Sequence, residues 1–287
     1  MDAGRNSILS QCSKAMRADP LMAIAAGVLA LLLCVGVLGP LLPIGDPTAI
    51  GIGPRLAPPS PAFPLGSDEL GRSFLPRVVG GILVTFQVAA TAVLLTGALG
   101  AVIGLIAAYY RGRVDTIVAR LADALFAFPA IILGLMTASI LGPGDLSVIV
   151  VIVAATLPLF IRVVRSVALS IASREFVTAA EVAGASPVRI MAMHMLPNLM
   201  GALIIQFTYA LSLGMLIESG LSFLGLGTQP PYPSLGSLLQ LGATYLAIAP
   251  WLVFAPGVTL ALTILAINLL GDGLRHAIDP LPGRALK

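Results

Sequence analysis

Lysine is nearly missing from this chain, present only as Lys14 and Lys287 among 287 residues. Neither lies in a G-x-x-x-x-G-K-[ST] loop, so no recognisable phosphate-binding loop for ATP exists here. Cysteine is equally scarce. Cys12 and Cys34 fall in the N-terminal tail and the first apolar run, which argues against a structural disulfide. The two histidines, His194 and His276, are far apart with no ligand spacing around them, so no metal site is read. No Ser/His or H-E-x-x-H set supports catalysis, and no catalytic residue is expected. Charged residues make up only 10% of the chain against 58% hydrophobic. A mean hydropathy of +1.02 excludes an ordinary soluble domain. The pI near 9.1 reflects arginines beside a membrane, not a nucleic-acid surface.

What remains is a series of apolar runs, with charge collected between them. A tail of residues 1–20 carries Arg5, Lys14 and Arg17 and precedes a first span, residues 21–42, which reads as a retained signal anchor. Residues 43–81 are rich in Pro and Gly and are expected to form an exposed external loop. A core of residues 82–271 then holds five further helices. The first, Ile82–Tyr110, contains Gly100-x-x-x-Gly104, a face on which helices pack closely. Arg111, Arg113 and Arg120 make a basic hinge before Ala124–Leu141, a span kinked at Pro129. Leu146–Ile161 is a short span whose Arg162 and Arg165 are expected to snorkel to the interface. Leu199–Ile217 and Trp251–Leu270 complete the set, and Ser234–Ala249 reads as re-entrant, interfacial or a further span. With six spans and an internal N-terminus, thirteen Lys and Arg fall inside and three (Arg55, Arg72, Arg77) outside. A seventh span would put the basic tail, residues 272–287, on the wrong side.

Between the fourth and fifth spans lies the longest stretch that reads as water-soluble helix, within a loop of residues 166–198. Ser173 is expected to cap a first short helix, with Glu175 at the positive end of its dipole. Gly184 suits the left-handed residue after that helix, Ser186 caps a second, and Pro187 opens it. At 100° per residue, Phe176, Ala179, Ala180, Ala183 and Gly184 share one nearly side-chain-free face, with Thr178 and Glu181 opposite. An ordinary amphipathic loop between spans has the same composition.

Two rival chemistries are weak. Gly142-Pro-Gly-Asp145 matches the G-x-G-D of intramembrane aspartyl proteases, but the only second carboxylate near a span is Glu218. A secondary transporter usually places ionisable groups near the bilayer midplane. Here the spans hold Gln87, Gln206 and Asn268, with Glu218 at an end, as the candidates for a polar path.

Residues Thr178-Ala179-Ala180, Gly184 and Leu196-Pro197 resemble the EAA loop of ABC-importer permeases, with Thr178 in place of its glutamate. Phe63-Pro-Leu-Gly-Ser-Asp-Glu-Leu-Gly-Arg72 is similar to a signature before the second span of the DppC/OppC dipeptide and oligopeptide branch, with Phe63 for His and Ser73 for Asp. Glu218-Ser-Gly-Leu-Ser-Phe-Leu-Gly-Leu-Gly227 and Asn268-Leu-Leu-Gly-Asp-Gly-Leu-Arg275, before Asp279-Pro280, match the same branch. The resemblance runs from about Phe63 to Pro280. It implies an all-α polytopic membrane protein with six transmembrane helices, a type I ABC-importer transmembrane domain in the bacterial inner membrane. Glu175, Phe176, Ala179, Ala180, Glu181, Gly184, Ala185 and Ser186 would couple it to ATPases. The implied partners are a homologous DppB/OppB-like permease, two ATPase domains or subunits and an extracytoplasmic solute-binding protein, with membrane lipid around them. ATP and Mg would be bound by the ATPases and no cofactor by this chain. The implied cargo is a dipeptide or oligopeptide, or a related small solute such as haem or a nickel chelate.

Overall fold

The computed structural model describes residues 19–278, and those residues contain helices and turns but no strand. The basic residues of the N-terminal tail, Cys12, Asp279-Pro280, Arg284 and Lys287 lie outside them. Helix α1, Pro20–Leu38, starts where Asp19 Oδ1 accepts hydrogen bonds from the N–H groups of Leu21 (2.9 Å) and Met22 (3.3 Å). Proline at the first helical position needs no partner for a missing N–H. Helix α2, Phe74–Tyr110, has 37 residues and is therefore about 55 Å long, well beyond a hydrocarbon core of about 30 Å. It ends abruptly because Arg111 (φ 52°) and Gly112 (φ 53°) both turn left-handed.

The expected third span, Ala124–Leu141, is not one rod. Helix α3, Gly112–Phe126, and helix α4, Ala130–Leu141, meet at 87°. Pro129 stands at the N-cap of α4, and a residue before proline is driven out of helical geometry, so the chain bends at Ala127–Phe128. Helix α5, Asp145–Ala172, runs a further three turns past the expected end at Ile161. Arg162 and Arg165 are both paired with carboxylates of α3. Arg165 forks onto Asp115 of α3, with Nη2 2.7 Å from Oδ2, and Arg162 Nη2 reaches Asp123 Oδ1 at 2.7 Å. The Arg162 guanidinium also lies over the Phe126 ring, 4.9 Å from its centroid.

After α6, Glu175–Val182, comes α7, Pro187–Phe223, which contains a π-helical turn at Ile190–Met195. Helix α8, Leu235–Thr244, is ten residues and about 15 Å, too short to cross. It wedges between α7 and α9, Trp251–Ile278, so residues 234–249 are a packed partial helix and not a span. Two of its glycines make that fit possible. A Cβ on Gly236 would lie 2.4 Å from Ser219 O, and one on Gly242 would lie 2.4 Å from Leu252 O. Five helices (α1, α2, α5, α7, α9) are long and apolar enough to cross a membrane, and the bent α3–α4 pair makes six if it counts as one span.

The core forms along the crossing of α2 with α5 and α7, where Val93, Ile152, Phe160, Val164, Leu199 and Leu203 are buried together. A second cluster joins Phe74, Ile82, Met215, Leu235, Leu252 and Ile267 under the loop between α1 and α2. Large apolar side chains elsewhere, such as Leu94 and Leu99 of α2 or Ile131 and Ile140 of α4, point outward, as a lipid-facing protein requires. The Gly100–Gly104 face meets α5 directly. A Cβ on Gly100 would sit 2.5 Å from Phe160 Cβ, and one on Gly104 would sit 2.7 Å from Val164 Cγ1. One turn away the hydroxyls of Thr96 and Thr156 pair across the same seam at 3.1 Å.

Gly100→Ala should therefore destabilise the protein by about 1–3 kcal/mol through overpacking. Gly220→Ala, with nothing within 4 Å of the added carbon, should be neutral or slightly stabilising. Thermal unfolding of the purified variants in detergent checks this. Equal melting temperatures for the two would show that the seam is not close-packed.

Candidate functional site

The loop after α5 builds a short exposed helix held rigidly to the core. Ser173 does not cap it as expected. Its hydroxyl donates to Ser170 O at 2.9 Å and closes α5, while Arg174 takes the N-cap position with no side-chain bond. The far end forms as expected. Gly184 (φ 80°) is left-handed, its N–H donates to Glu181 O (2.9 Å), and Ala185 N–H reaches back to Ala180 O (3.0 Å), a Schellman pair. Ser186 Oγ then accepts from Arg189 N–H at 3.4 Å, and Pro187 opens α7. No heavy atom lies within 4 Å of a Cβ built on Gly184, so its backbone angle alone calls for glycine.

The helix is turned about its axis relative to the expected face. Val177, 1% exposed, plugs into the core with Ile171 and Ile190, and Ala180 and Ala185 lean the same way. Glu181 lies against the Tyr109 hydroxyl. Outward stand Glu175, Thr178, Ala179, Val182 and Ala183, lining with Ser173 a shallow depression of about 520 Å³. Thr178 thus belongs to the open face, not its opposite, because the buried anchor is Val177 and not the alanine stripe. Phe176 is exposed at its edge.

The four candidate path residues separate. Gln87 is exposed on α2. Glu218 is wholly buried, accepting from Ser222 Oγ (2.7 Å) and Ser219 Oγ (3.1 Å) beside the start of α8, so its carboxylate faces no cleft. Only Gln206 and Asn268 come together, in a cleft of about 320 Å³ between α7 and α9 that also holds Tyr209, Asp272 and Arg275. Sequence reading missed those last two as site residues. Their positions four and seven after Asn268, on one helical stripe, were the available signal. Among the described residues no cluster of His, Cys, Asp or Glu could hold a metal ion. Asp145 accepts from Thr228 Oγ1 (2.7 Å) and has no bond to Glu218, so the two carboxylates form no dyad.

The loop between α1 and α2 is not simply exposed. Ser67 and Asp68 are fully buried, and Arg72 and Arg77 nearly so. Asp68 Oδ2 meets Arg72 Nε at 2.5 Å and Arg77 Nε at 3.4 Å, while Oδ1 accepts from the N–H groups of Leu70 and Arg72. Arg77 Nη1 donates to Pro47 O at 3.0 Å, tying the loop's start to α2. At that start, Thr48 donates through its hydroxyl and its N–H to Asp46, which holds the Asp46 carboxyl below its usual range.

The fold and these surfaces define a polytopic transport protein of the importer class. Residues 100–283 match the family of binding-protein-dependent transport system inner membrane components, and this chain belongs to that family. It is 37% identical over 252 residues to the dipeptide transport system permease DppC of Haemophilus influenzae, covering 86% of this chain and 85% of that one. It is 39% identical over 218 residues to the di/tripeptide transport system permease DppC of Pseudomonas aeruginosa, covering 76% and 72%. Among solved structures, an inward-facing MetNI methionine ABC transporter superposes with a TM-score of 0.58 at 20% identity, covering 70% of this chain and 96% of that one. That likeness bears out the type I importer fold.

Asp68→Ala would leave two buried guanidinium groups without their carboxylate and should cost about 3–5 kcal/mol. Asp123→Ala, at a pair whose side chains are 50% and 60% exposed, should cost about 0–1 kcal/mol. Comparing the two melting temperatures checks whether the outer charge cluster, and not the surface pair, holds the fold.

Proposed function

We propose that this chain is one permease subunit of an ATP-driven importer of short peptides, forming half of the translocation pathway. The observation that carries the reading is α6, a short helix rigidly capped by its Schellman turn and anchored by Val177, presenting a shallow small-residue depression. A chain without a phosphate-binding loop gains from such a surface if ATP is hydrolysed on another polypeptide. The partners are then a homologous second permease, two ATPase domains or subunits that bind ATP and Mg, and an extracytoplasmic solute-binding protein. The family membership and the peptide-transport relatives support that assembly. The excess of Lys and Arg beside α6 and in the tails supports cytoplasmic termini and an inward-facing coupling loop.

The mechanism is alternating access. Closure of the ATPase dimer pushes on α6, and the push enters the core through Val177 and through α5 and α7, which flank it. The ion pairs of Arg162 and Arg165 carry α3 with α5. Glu175 is the acidic residue on the open face that substitutes for the glutamate replaced by Thr178, since Glu181 is turned toward Tyr109.

In reconstituted complex, Ala179→Trp should fill the depression and reduce ATPase stimulation by loaded binding protein to the basal level. Glu175→Ala should impair it more than Thr178→Ala, and Thr178→Glu should be tolerated. Wild-type stimulation in Ala179→Trp would remove α6 as the docking surface.

A further inference from the structure

We infer that α3 lies in the lipid interface at the α6 end of the bundle and binds the headgroups of anionic phospholipids through Arg113 and Arg120. Its start is fixed at that end, because α2 stops at Tyr110 and the neighbouring Tyr109 hydroxyl meets Glu181 of α6. Its course is crosswise. Asp115 and Asp123, about 12 Å apart along α3, hold Arg165 and Arg162, which are only about 4.5 Å apart along α5. Those arginines stand about 25–30 Å along α5 from its first residue, close to one hydrocarbon thickness. From the turn at Gly142–Gly144, α4 runs back beside α5. With the linking residues 127–129 it reaches at most about 28 Å before the chain bends by 87° into α3.

At 100° per residue, α3 divides into four sides. Ala122, 1% exposed, and Asp115 face the bundle. About a third of a turn round stand Val114, Ile117 and Leu121, the last two 60% and 62% exposed. Arg113 and Arg120 form the ridge that points directly away from the bundle, and Thr116 and Asp123 occupy the remaining side. The order round the outside is therefore apolar, cationic, polar. Hydrocarbon, phosphate and water follow in that order at a membrane surface. No ion pair among the described residues includes Arg113, Arg120 or the adjoining Arg111, whereas both acidic residues of α3 are taken up by α5. At the start of the helix Arg113 lines, with Gly112, Thr116 and Ile117, an open depression of about 530 Å³.

That order selects the occupant. A water-filled surround would strand three large apolar side chains. An apolar span of a second permease would bury two guanidinium groups without acceptors. A phospholipid supplies an acyl chain to the one side and, to the next, a phosphate that a guanidinium meets with two parallel hydrogen bonds. The ridge carries positive charge alone, so headgroups with net negative charge are preferred to zwitterionic ones. Held in this way, α3 sets the depth of α5 in the bilayer through the pairs of Arg162 and Arg165.

The test uses the whole transporter in lipid nanodiscs, after Cys12 and Cys34 are replaced by serine, with bimane attached at Leu121→Cys. Lipids with brominated acyl chains quench bimane fluorescence on contact. Brominated phosphatidylglycerol should quench severalfold more efficiently than brominated phosphatidylcholine at the same mole fraction. Arg113→Gln combined with Arg120→Gln should make the two lipids equal. A bimane at Leu94→Cys, on an outward-facing position of α2, should be quenched equally by both lipids in either background. Should the double variant not assemble, about 1 M NaCl, where the screening length falls to about 3 Å, should erase the preference in the parent protein. Equal quenching of the Leu121 probe by the two lipids, or a preference that survives the substitutions or the salt, would overturn the lipid site. Quenching of that probe by neither lipid would overturn it too, by showing that water or a partner subunit covers α3.

Discussion

Inside a hydrocarbon layer a polar group must find its partner within the protein, because water does not reach it to compete. Most of this fold answers to that demand. The Thr96 and Thr156 hydroxyls pair across the α2–α5 seam, and Ser219 and Ser222 enclose the Glu218 carboxylate where α7 meets α8. The capping box of Ser234 and Ser237 starts α8, and Thr85 Oγ1 accepts the N–H of Leu235 from the same turn. Asp68 gathers two arginines at the N-terminal end of α2. The Thr96–Thr156 and Thr85–Leu235 ties link elements distant in sequence, so these polar groups fix an arrangement that the apolar surface alone would leave loose.

The same economy explains how a small exposed helix keeps its shape. Helix α6 has eight residues, too few to be stable alone. It persists because Val177 is buried and because the Gly184 turn satisfies its last carbonyls. In the proposed mechanism, a force applied to its open face would therefore not be absorbed by unwinding. It would pass to α5, which is stitched to α3 by two arginines and close-packed on α2 at Gly100 and Gly104, and to α7 through the π turn at Ile190–Met195. The charged groups on α3 and α5 lie between apolar stretches, and their pairing lets α5 run to Ala172 without exposing a lone cation.

Much of this was legible before any coordinates. Long apolar runs separated by arginines are a membrane pattern, since hydropathy over a bilayer's thickness depends on composition alone. The Gly184 turn, the Ser186 cap and the Pro187 start were also legible, because such signals act over three or four residues. The Gly100–Gly104 face was readable as a close-packing stripe, though not its partners Phe160 and Val164. Ser173 misled because the serine that ends one helix and the serine that starts the next look alike when a single turn separates them. The partners of Arg162 and Arg165 were not legible, for a different reason. Snorkelling is the expected fate of an arginine near a span's end, and only the fold brings Asp115 and Asp123 within reach.

The sequence by itself determined the class of protein, the order of its apolar helices, and the Gly184 turn and Ser186 cap that follow α6. These follow from hydropathy and from hydrogen bonds between near neighbours. The tertiary structure alone decided which way α6 faces, that residues 234–249 fold back without crossing, and that Gln206 meets Asn268 while Gln87 and Glu218 lie elsewhere. The rotation of a helix about its own axis is set by what packs on it. Here those neighbours are tens of residues away in the chain, and no local pattern records them.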